Sequence, residues 1–259
     1  MKSYKIASIP GDGIGVEVVD AGLRALHALA ERAGTFQFDV THFDWGTNRY
    51  KREGALMPAD GAQELIGFDA ILFGAVGTPD VPDHLTLWGL RLNICQLLDQ
   101  YANVRPTRIL PGINSPLAGV TDKDLDWVIV RENSEGEYSG QGGRSHRGQS
   151  QEVATDIAVF TRIGVERIIR FAFELAQSRP RKLLTIVTKS NAQRHGMVLW
   201  DDVAREVAGD FPEVTWDKML VDAMTVRMVM QPQSLDTIVA TNLHADVLSD
   251  LAAALSGSI

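Results

Sequence analysis

The stretch Tyr4-Lys-Ile-Ala-Ser-Ile-Pro-Gly-Asp-Gly-Ile-Gly15 begins as an apolar strand, turns at a glycine-rich loop and enters a helix. Apolar residues recur at helical spacing over residues 14 to 32, so the chain opens with a strand, a loop and a helix. A second apolar run, Ala70-Ile-Leu-Phe-Gly-Ala-Val76, is typical of a buried parallel strand, and a helical stretch over residues 87 to 101 follows it. Strands that alternate with helices predict an α/β fold.

Prolines interrupt this pattern after residue 100. Pro106, Pro111 and Pro116 favour a crossing between two lobes, and a glycine-rich loop is predicted to end at about residue 148. Each strand predicted beyond the crossing ends in polar residues, where open α/β sheets bind their ligands. These strands are predicted at 127–130, 152–160, 183–187, 214–221 and 235–240, and helices at 163–176, 195–207 and 242–255. A further helix follows Asp222, with three methionines predicted to lie in the core: Met224, Met228 and Met230.

Composition excludes several classes of protein. The net charge of -8 argues against nucleic acid as the main partner, because neutralising phosphates requires a basic surface. The N-terminus does not resemble a signal peptide and no apolar run is long enough to span a bilayer, so we expect a cytoplasmic protein without a membrane partner. Cys95 is the only cysteine, which excludes an internal disulfide and leaves oxygen or imidazole ligands for any metal.

The glycine-rich loop Gly11-Asp-Gly-Ile-Gly15 matches no nucleotide-binding fingerprint. Val16 stands where the dinucleotide motif needs its third glycine, and the Gly-Lys-Ser/Thr ending of a P-loop is absent. Both a tight structural turn and a ligand contact remain open. A phosphate-binding regulatory domain built on this loop is therefore one hypothesis, and it predicts that Asp250→Asn leaves the function intact.

Three aspartates are candidate metal ligands. Asp246 and Asp250 are four residues apart on a predicted helix and share one face, while Asp222 opens another helix directly after a strand. Carboxylates that converge in this way suit Mg²⁺ or Mn²⁺, which prefer hard oxygen ligands. The alternative is that Asp222 caps its helix and that the other two are solvated.

Other side chains are candidates for binding a dicarboxylate or for proton transfer. Arg91, Arg105 and Arg131 flank the predicted crossing, and guanidinium groups grip carboxylates bidentately. Surface ion pairs are the alternative for each of them. Tyr138 and Lys189 follow strand ends, which are suitable places for acid–base groups, although a half-buried tyrosine and a surface lysine are common without any such role.

Together these segments resemble the isocitrate/isopropylmalate dehydrogenase family of β-decarboxylating dehydrogenases, in order along the whole chain. The segments that carry the resemblance are Ile-Pro-Gly11-Asp-Gly-Ile-Gly, Ala-Asn103-Val-Arg-Pro, Val-Arg131-Glu-Asn-Ser-Glu-Gly-Glu-Tyr-Ser-Gly, Val-Thr-Lys189-Ser-Asn191, Val-Asp222-Ala-Met and Asn242-Leu-His-Ala-Asp-Val-Leu-Ser-Asp250.

Within that family, two segments look most like the tartrate dehydrogenases and the related D-malate dehydrogenases. They are Asp83-His-Leu-Thr-Leu-Trp-Gly-Leu90 and Asp99-Gln-Tyr-Ala-Asn-Val-Arg105. Isopropylmalate enzymes carry an arginine ten residues before the one that matches Arg105, and this chain has Cys95 there. Arg91, one helical turn earlier, is the candidate to replace it, and a 3-isopropylmalate dehydrogenase is the alternative enzyme.

The resemblance implies a two-lobed isopropylmalate-dehydrogenase-like fold rather than a classical Rossmann fold. Residues 1–100 would form the first part of a large lobe, and residues 101–250 a small lobe with the dimer interface and the metal and substrate site. Residues 251–259 would begin the return to the large lobe. The family's later cofactor-binding loops are not in this sequence, so we expect a C-terminally truncated large lobe.

The resemblance also implies the chemistry. A metal held by Asp246 and Asp250, with Asp222 from a second subunit, would bind the substrate's 2-hydroxyl and carboxylate. Lys189, also from the second subunit, would help to remove the hydroxyl proton as hydride passes to NAD, and Tyr138 would protonate the carbon that loses CO₂. The arginines at 91, 105 and 131 would hold the substrate carboxylates.

The same resemblance implies a homodimer with shared active sites and cofactor contacts at Gly74, Val76 and Asn191. NAD is favoured over NADP by the similarity to tartrate and D-malate dehydrogenases. A competing hypothesis is that the chain is a non-catalytic fragment or partner subunit that keeps the dimer lobe and metal ligands without binding NAD tightly.

Overall fold

The computed structural model describes residues 1–258. The chain divides into two compact units, the first formed by Met1–Asp99 and the second beginning at Gln100. Within the described residues, no helix is both long enough and apolar enough to cross a membrane.

The first unit contains a small parallel sheet and its helices. Its strands are β1 (Lys2–Gly11), β2 (Phe36–His42) and β3 (Ala70–Ala75), and its helices are α1 (Ile14–Ala33), α2 (Thr47–Glu53), α3 (Gly61–Glu64), α4 (Asp83–Thr86) and α5 (Leu92–Leu97). The strand order is β2-β1-β3, with both pairs parallel. The prediction of an opening strand and helix is confirmed, whereas β2 and the short helices α2, α3 and α4 were not predicted.

Glycines allow the first turn of α1 to approach the sheet closely. A Cβ atom at Gly15 would collide with the carbonyl oxygen of Pro10 and the amide nitrogen of Ala75. Gly11 has a φ of +71°, and a Cβ there would collide with the carbonyl oxygen of Ala75. Positive φ and contact with neighbouring backbone both favour glycine. This part of the loop therefore serves packing, as the structural alternative predicted.

The helix predicted over residues 87 to 101 was wrong in its bounds and in its regularity. Helical backbone begins earlier, at Asp83, and α5 ends at Leu97. Between α4 and α5 the chain makes one turn of π-helix, Leu87–Arg91. Such turns insert an extra residue into a helix, which hydrophobic periodicity does not reveal.

The second unit is built on a larger sheet. Its strands are β4 (Ala102–Arg108), β5 (Asp126–Glu132), β6 (Gly136–Ser145), β7 (Val153–Val159), β8 (Leu183–Thr188), β9 (Thr215–Leu220) and β10 (Thr237–Ala240). Its helices are α6 (Arg162–Ser178), α7 (Gly196–Ala208), α8 (Val221–Met230) and α9 (Asn242–Ser256). Residues 251–256 thus continue α9 and group with this unit.

Five strands form the central sheet in the order β4-β5-β10-β8-β9, in which β4 alone is antiparallel to its neighbour. The last strand of the chain, β10, lies between β5 and β8. Alternate residues of these strands face two separate cores. Val130 and Ile186 pack with residues of α6 and α7, whereas Ile129 and Val187 pack with residues of α8 and α9. The sheet is therefore covered by helices on both faces, as parallel sheets require.

The glycine-rich segment before residue 148 is a strand, not the predicted loop. β6 pairs with β7 in an antiparallel two-stranded sheet, with a register shift between Gly136 and Gln141. Most side chains of both strands are exposed. Because neither face of β6 is packed in a core, the hydrophobic alternation that identifies a strand is missing from it, whereas β7 was predicted as a strand over residues 152–160.

Two further predictions were wrong. Pro106 does not end regular structure but lies within β4, which is an edge strand and tolerates a residue without an amide proton. Met230, predicted to be in the core, is 71% exposed, while Met224 and Met228 are fully buried as predicted. Met230 is the last residue of α8, where the buried face of the helix ends.

Candidate active site

Helix α9 begins at the end of β10 and carries the central acidic residue of the site. Thr241 caps the helix, since its side-chain oxygen accepts a hydrogen bond from the amide of His244. The carboxylate of Glu137 also accepts bonds from the hydroxyl of Thr241 (3.0 Å) and the amide of Leu243 (3.3 Å). The negative charge of Glu137 is favourable at this helix N-terminus. Its hydrogen bonds also hold β6 against the first turn of α9.

Asp246 lies one turn into α9 and is the meeting point of three predicted site residues. Its Oδ1 atom is 3.1 Å from Nη1 of Arg105 and also forms an ion pair with Nη1 of Arg131. The hydroxyl of Tyr138 donates to its Oδ2 atom over 3.2 Å. Asp250, one turn further along α9, is exposed. The site thus has a half-buried carboxylate surrounded by two cations and a phenol.

Neighbouring amides and hydroxyls hold the two guanidinium groups in place. Arg131 is fully buried, and its Nε donates to Oδ1 of Asn242 over 2.8 Å. The Nε of Arg105 donates to Oδ1 of Asn103 over 3.3 Å, and its Nη1 also bonds the hydroxyl of Ser249. Sequence reasoning included both asparagines in its motifs but gave them no role. Nothing in the local pattern indicated that they orient the arginines.

Tyr138 remains a hydrogen-bond donor because its surroundings disfavour the phenolate. Burial raises the pKa of the Tyr138 hydroxyl, and the negative charge of Asp246 raises it further. The guanidinium carbon of Arg131 lies 5.2 Å from the centre of the Tyr138 ring and acts in the opposite direction. The protonated form therefore prevails at neutral pH.

Lys189 and Asp222 form a second group at the carboxyl ends of β8 and β9. Lys189 directly follows β8 and its ammonium forms an ion pair with the carboxylate of Asp222, in the first turn of α8. This contact with Lys189 lowers the pKa of the exposed Asp222 carboxyl. Asn191 follows in the same loop and is exposed.

The structure brings only some of the predicted residues together. No three carboxylate, histidine or cysteine side chains within residues 1–258 form a group that could hold a metal ion. Asp222 therefore does not complete a cluster with Asp246 and Asp250 inside one chain. This arrangement agrees with the expectation that Asp222 serves a second subunit but does not test it.

The remaining predicted residues belong to the first unit. Gly74 packs against the glycine-rich loop, where a Cβ atom would collide with the carbonyl oxygen of Pro10. Val76 follows β3 and packs against the first unit's core. Arg91 is the last residue of the π-helical turn and Cys95 lies in α5, both partly exposed.

A buried aspartate in this unit was missed. Asp12 accepts bonds from the amide and hydroxyl of Thr47 (2.8 and 2.6 Å) and from the amide of Gly77 (3.0 Å). Through these hydrogen bonds, Asp12 connects the glycine-rich loop to the start of α2 and to the segment after β3. The only sequence signal was a charged residue between two glycines.

Residues 5–259 match the family model described as isocitrate/isopropylmalate dehydrogenase. The chain belongs to the isocitrate/isopropylmalate dehydrogenase family, as its motifs suggested. Among solved structures, it is similar to isocitrate dehydrogenase from Methylococcus capsulatus, with a TM-score of 0.85 and 36% identity over 98% of this chain and 71% of that one. The fold is therefore the mixed α/β fold of isocitrate dehydrogenases.

Curated relatives narrow the class of enzyme. The chain is 70% identical to a probable tartrate dehydrogenase/decarboxylase of Agrobacterium vitis, over all of this chain and 72% of the relative. It is 51% identical to the decarboxylating D-malate dehydrogenase of Escherichia coli, with the same two coverages. At the level of the family, the chemistry is oxidative decarboxylation by a dehydrogenase.

Proposed function

We propose that this chain is a cytoplasmic, NAD-dependent dehydrogenase subunit that oxidises tartrate or D-malate and decarboxylates suitable substrates. The observation that carries the proposal is the convergence of Arg105, Arg131 and Tyr138 on Asp246. The names of the similar enzymes from Agrobacterium vitis and Escherichia coli support these two substrates. A 3-isopropylmalate dehydrogenase is the second candidate, which the family alone would allow.

The two arginines bind the carboxylates of the substrate. Guanidinium groups that are held by neighbouring side chains lose little freedom when they bind a carboxylate. Arg131 is buried and Arg105 is about three-quarters buried, so their attraction for an anion is weakly screened. A substrate carboxylate competes with Asp246 for these donors and leaves the oxygens of Asp246 available to another ligand.

Asp246 and Asp250 fit Mg²⁺ or Mn²⁺. Both are carboxylates on successive turns of α9, and Asp250 is exposed. Hard oxygen donors with space for solvent and substrate are what these ions prefer. When bound, such an ion lowers the pKa of the substrate's 2-hydroxyl and stabilises negative charge on its oxygen.

Lys189 and Asp222 complete the site of a second subunit in a homodimer. The two side chains contact one another, so both belong to the same site. A candidate dimer face lies on α8 and α9, where Val226, Met230, Leu243 and Val247 are exposed apolar residues. Exposed apolar clusters of this kind are typical of protein interfaces.

The proton transfers fall to Lys189 and Tyr138. Lys189, as the neutral amine left after its ammonium has released a proton to solvent, would accept the proton of the 2-hydroxyl. NAD, for which Gly74, Val76 and Asn191 are the proposed contacts, would supply the hydride acceptor. Tyr138 holds a proton at neutral pH and delivers it to the carbon from which CO₂ departs. Because the phenol already donates to Asp246, it is held close to the proposed metal ligand.

Arg91 is proposed to bind the substrate carboxylate that the arginine absent at Cys95 would otherwise hold. The π-helical turn ending at Arg91 changes the direction in which this residue leaves the helix relative to a regular α-helix. Replacement by leucine tests this role: Arg91→Leu should raise KM for tartrate and D-malate at least tenfold. An unchanged KM contradicts it.

Mixed dimers test the shared site. Lys189→Ala and Asp246→Ala are each expected to be inactive. Mixing them by unfolding and refolding together should restore about a quarter of the wild-type rate, since half of randomly formed dimers are heterodimers with one intact site. Lys189→Ala mixed with Asp222→Ala is the matched control and should restore nothing, because each heterodimer then carries one lesion in each of its two sites. Absence of recovery in the first mixture contradicts the shared site.

Initial rates with tartrate, D-malate and 3-isopropylmalate, with and without Mn²⁺, test the substrate and the metal. A rate that does not depend on Mn²⁺ contradicts the proposed chemistry.

The competing hypothesis of a non-catalytic partner subunit is tested by calorimetric titration with NAD. Tight binding supported by the metal contradicts that hypothesis, and dimerisation without NAD binding contradicts the enzyme.

A further inference from the structure

We propose that Asp201 is a positioning residue for Lys189, acting through a closed ring of polar contacts with Thr188, Ser190 and Lys218. This inference rests on the proposed function, in which Lys189 takes the substrate proton. None of the four ring residues, Asp201, Thr188, Ser190 and Lys218, belongs to the candidate site described above.

The ring encloses the turn that presents Lys189. The hydroxyl of Thr188 donates to Oδ1 of Asp201 over 3.1 Å, and the ammonium of Lys218 bonds Oδ2 of the same carboxylate over 2.6 Å. Lys218 also donates to the hydroxyl of Ser190 over 3.2 Å. The hydroxyls of Thr188 and Ser190 are 3.5 Å apart and close the ring. The residues on both sides of Lys189 are thereby held by one carboxylate and its counter-ion.

The polar ring and the Lys189 side chain lie on opposite faces of the sheet. Thr188 is the last residue of β8 and contacts α7 through Asp201, whereas Lys189 contacts α8 through Asp222. Successive residues of a strand point to opposite faces of a sheet. Fixing Thr188 against α7 therefore also fixes the direction in which Lys189 leaves the strand.

Asp201 is a buried carboxylate, and removing its charge from water costs desolvation free energy. It is 8% exposed on α7, whose other inward residues, among them Trp200 and Ala204, belong to an apolar core. A buried ion pair is often no more stabilising than apolar residues of the same size, so stability alone does not account for it. In some proteins a satisfied buried polar group fixes one conformation, and for Asp201 we assign that role to the Lys189 turn.

The turn beyond Lys189 offers a direct readout of its order. The carbonyl oxygen of Lys189 accepts hydrogen bonds from the amides of Ala192 and Gln193, both over 2.9 Å. If the ring keeps this turn in place, breaking the ring frees these two amides first. Misplacing an acid–base group by about 1 Å can cost on the order of a hundredfold in rate, so small displacements matter.

Hydrogen exchange measured by NMR on the full chain tests the proposal. Asp201→Asn keeps the acceptor for Thr188 but turns an amide NH₂ toward the ammonium of Lys218. Lys218→Met removes the cation that pairs with Asp201. Because Lys218 is half-exposed, this variant replaces Asp201→Asn in the test if Asp201→Asn does not fold. Both variants should exchange the amides of Ala192 and Gln193 at least tenfold faster, while amides of α6 and β10 keep their wild-type rates.

Two further variants serve as controls. Asp202→Asn changes the next residue of α7, which pairs only with Arg205 among the ion pairs of the described chain, and should leave both amides unchanged. Lys218→Arg keeps the charge and should restore slow exchange. Unchanged exchange in Asp201→Asn and Lys218→Met overturns the proposal, and so does an equal increase at all amides of the second unit, since that reflects global destabilisation.

Steady-state rates separate this proposal from the proposed function. If the wild type oxidises D-malate, Lys218→Met should lower kcat at least tenfold with KM for D-malate within twofold. A lower kcat accompanied by an equally large change in KM overturns the positioning role. If the wild type does not oxidise D-malate, tartrate or 3-isopropylmalate, the proposed function fails, while local exchange at Ala192 and Gln193 still decides whether Asp201 holds the turn.

Discussion

Nη1 of Arg105 lies 3.1 Å from Oδ1 of Asp246, although 141 residues separate the two in the chain. Arg105 comes from the edge strand β4 and Asp246 from helix α9, which packs against that strand. The pair joins a predicted carboxylate-binding residue to a predicted metal ligand. Asp246 also pairs with Arg131, so one carboxylate is shared by two guanidinium groups.

Replacing Asp246 by asparagine should cost stability as well as metal binding. The fully buried guanidinium of Arg131 would lose its anionic partner, and we expect the free energy of unfolding to fall by roughly 1–3 kcal/mol. Urea unfolding measures this loss. Asp250→Asn is the matched control: the exposed side chain should change stability by about 0.5 kcal/mol at most. Both variants should weaken Mn²⁺ binding in a calorimetric titration, and a metal affinity unchanged by Asp250→Asn would contradict the assigned ligand pair.

The stability of the second unit should depend on the protonation of Glu132. Burial raises the pKa of this carboxyl above its ordinary value of 4.5, although bonds from Ser134 and the amide of Glu135 oppose the effect. Because the folded state holds the proton more tightly, the stability that this group contributes is complete below pH 4.5 and is lost as pH rises through the raised pKa.

Comparison with Glu132→Gln isolates this titration. As pH increases from 4.5 to 7.5, the wild type should lose stability relative to the variant in urea unfolding. Glu174→Gln, at an exposed position of α6, should show no comparable trend. A difference between wild type and Glu132→Gln that does not vary with pH would mean that burial does not govern this carboxyl.

Two glycines of α1 should respond oppositely to alanine. At Gly15 a methyl group would collide with the backbone of Pro10 and Ala75, so Gly15→Ala should destabilise the first unit by roughly 1–3 kcal/mol. Gly22 lies within the same helix with no atom near the position of a Cβ, and Gly22→Ala should stabilise it by about 0.5–1 kcal/mol. Thermal unfolding of both variants checks the signs. A tolerated Gly15→Ala would show that the close packing of the loop is not required.

A charge on the proposed dimer face should separate the subunits. Val226 is 60% exposed on α8, and Val226→Asp would place a carboxylate within the proposed interface. We expect sedimentation equilibrium to report monomers. Ile163, 77% exposed on α6 at the opposite face of the sheet, provides the control, since Ile163→Asp should remain dimeric. If Ile163→Asp dissociates instead, the interface lies on the other face.

Local sequence patterns predicted most of the elements that pack against a core. α1 and α6 have buried faces at helical spacing, and β5 and β8 have apolar runs, so periodicity identifies them. The exposed strand β6 and the π-helical turn at Leu87–Arg91 lack such a signal, whereas β7 was predicted as a strand over residues 152–160.

For the candidate site, the sequence identified the reactive residue types but not their partners. Motifs singled out Arg105, Arg131, Tyr138 and Asp246, and the structure groups all four. The orienting roles of Asn103 and Asn242 were not predicted, because amide side chains serve many purposes and their partners are remote in the chain.

By itself the sequence determined the α/β alternation, the family and most of the candidate residues, since each depends on local pattern or on short motifs. Only the tertiary structure decided that β10 lies between β5 and β8 and that α9 therefore carries Asp246 to Arg105 and Arg131. Strand order follows from how two apolar faces are buried together across more than a hundred residues. No local stretch of sequence contains that information.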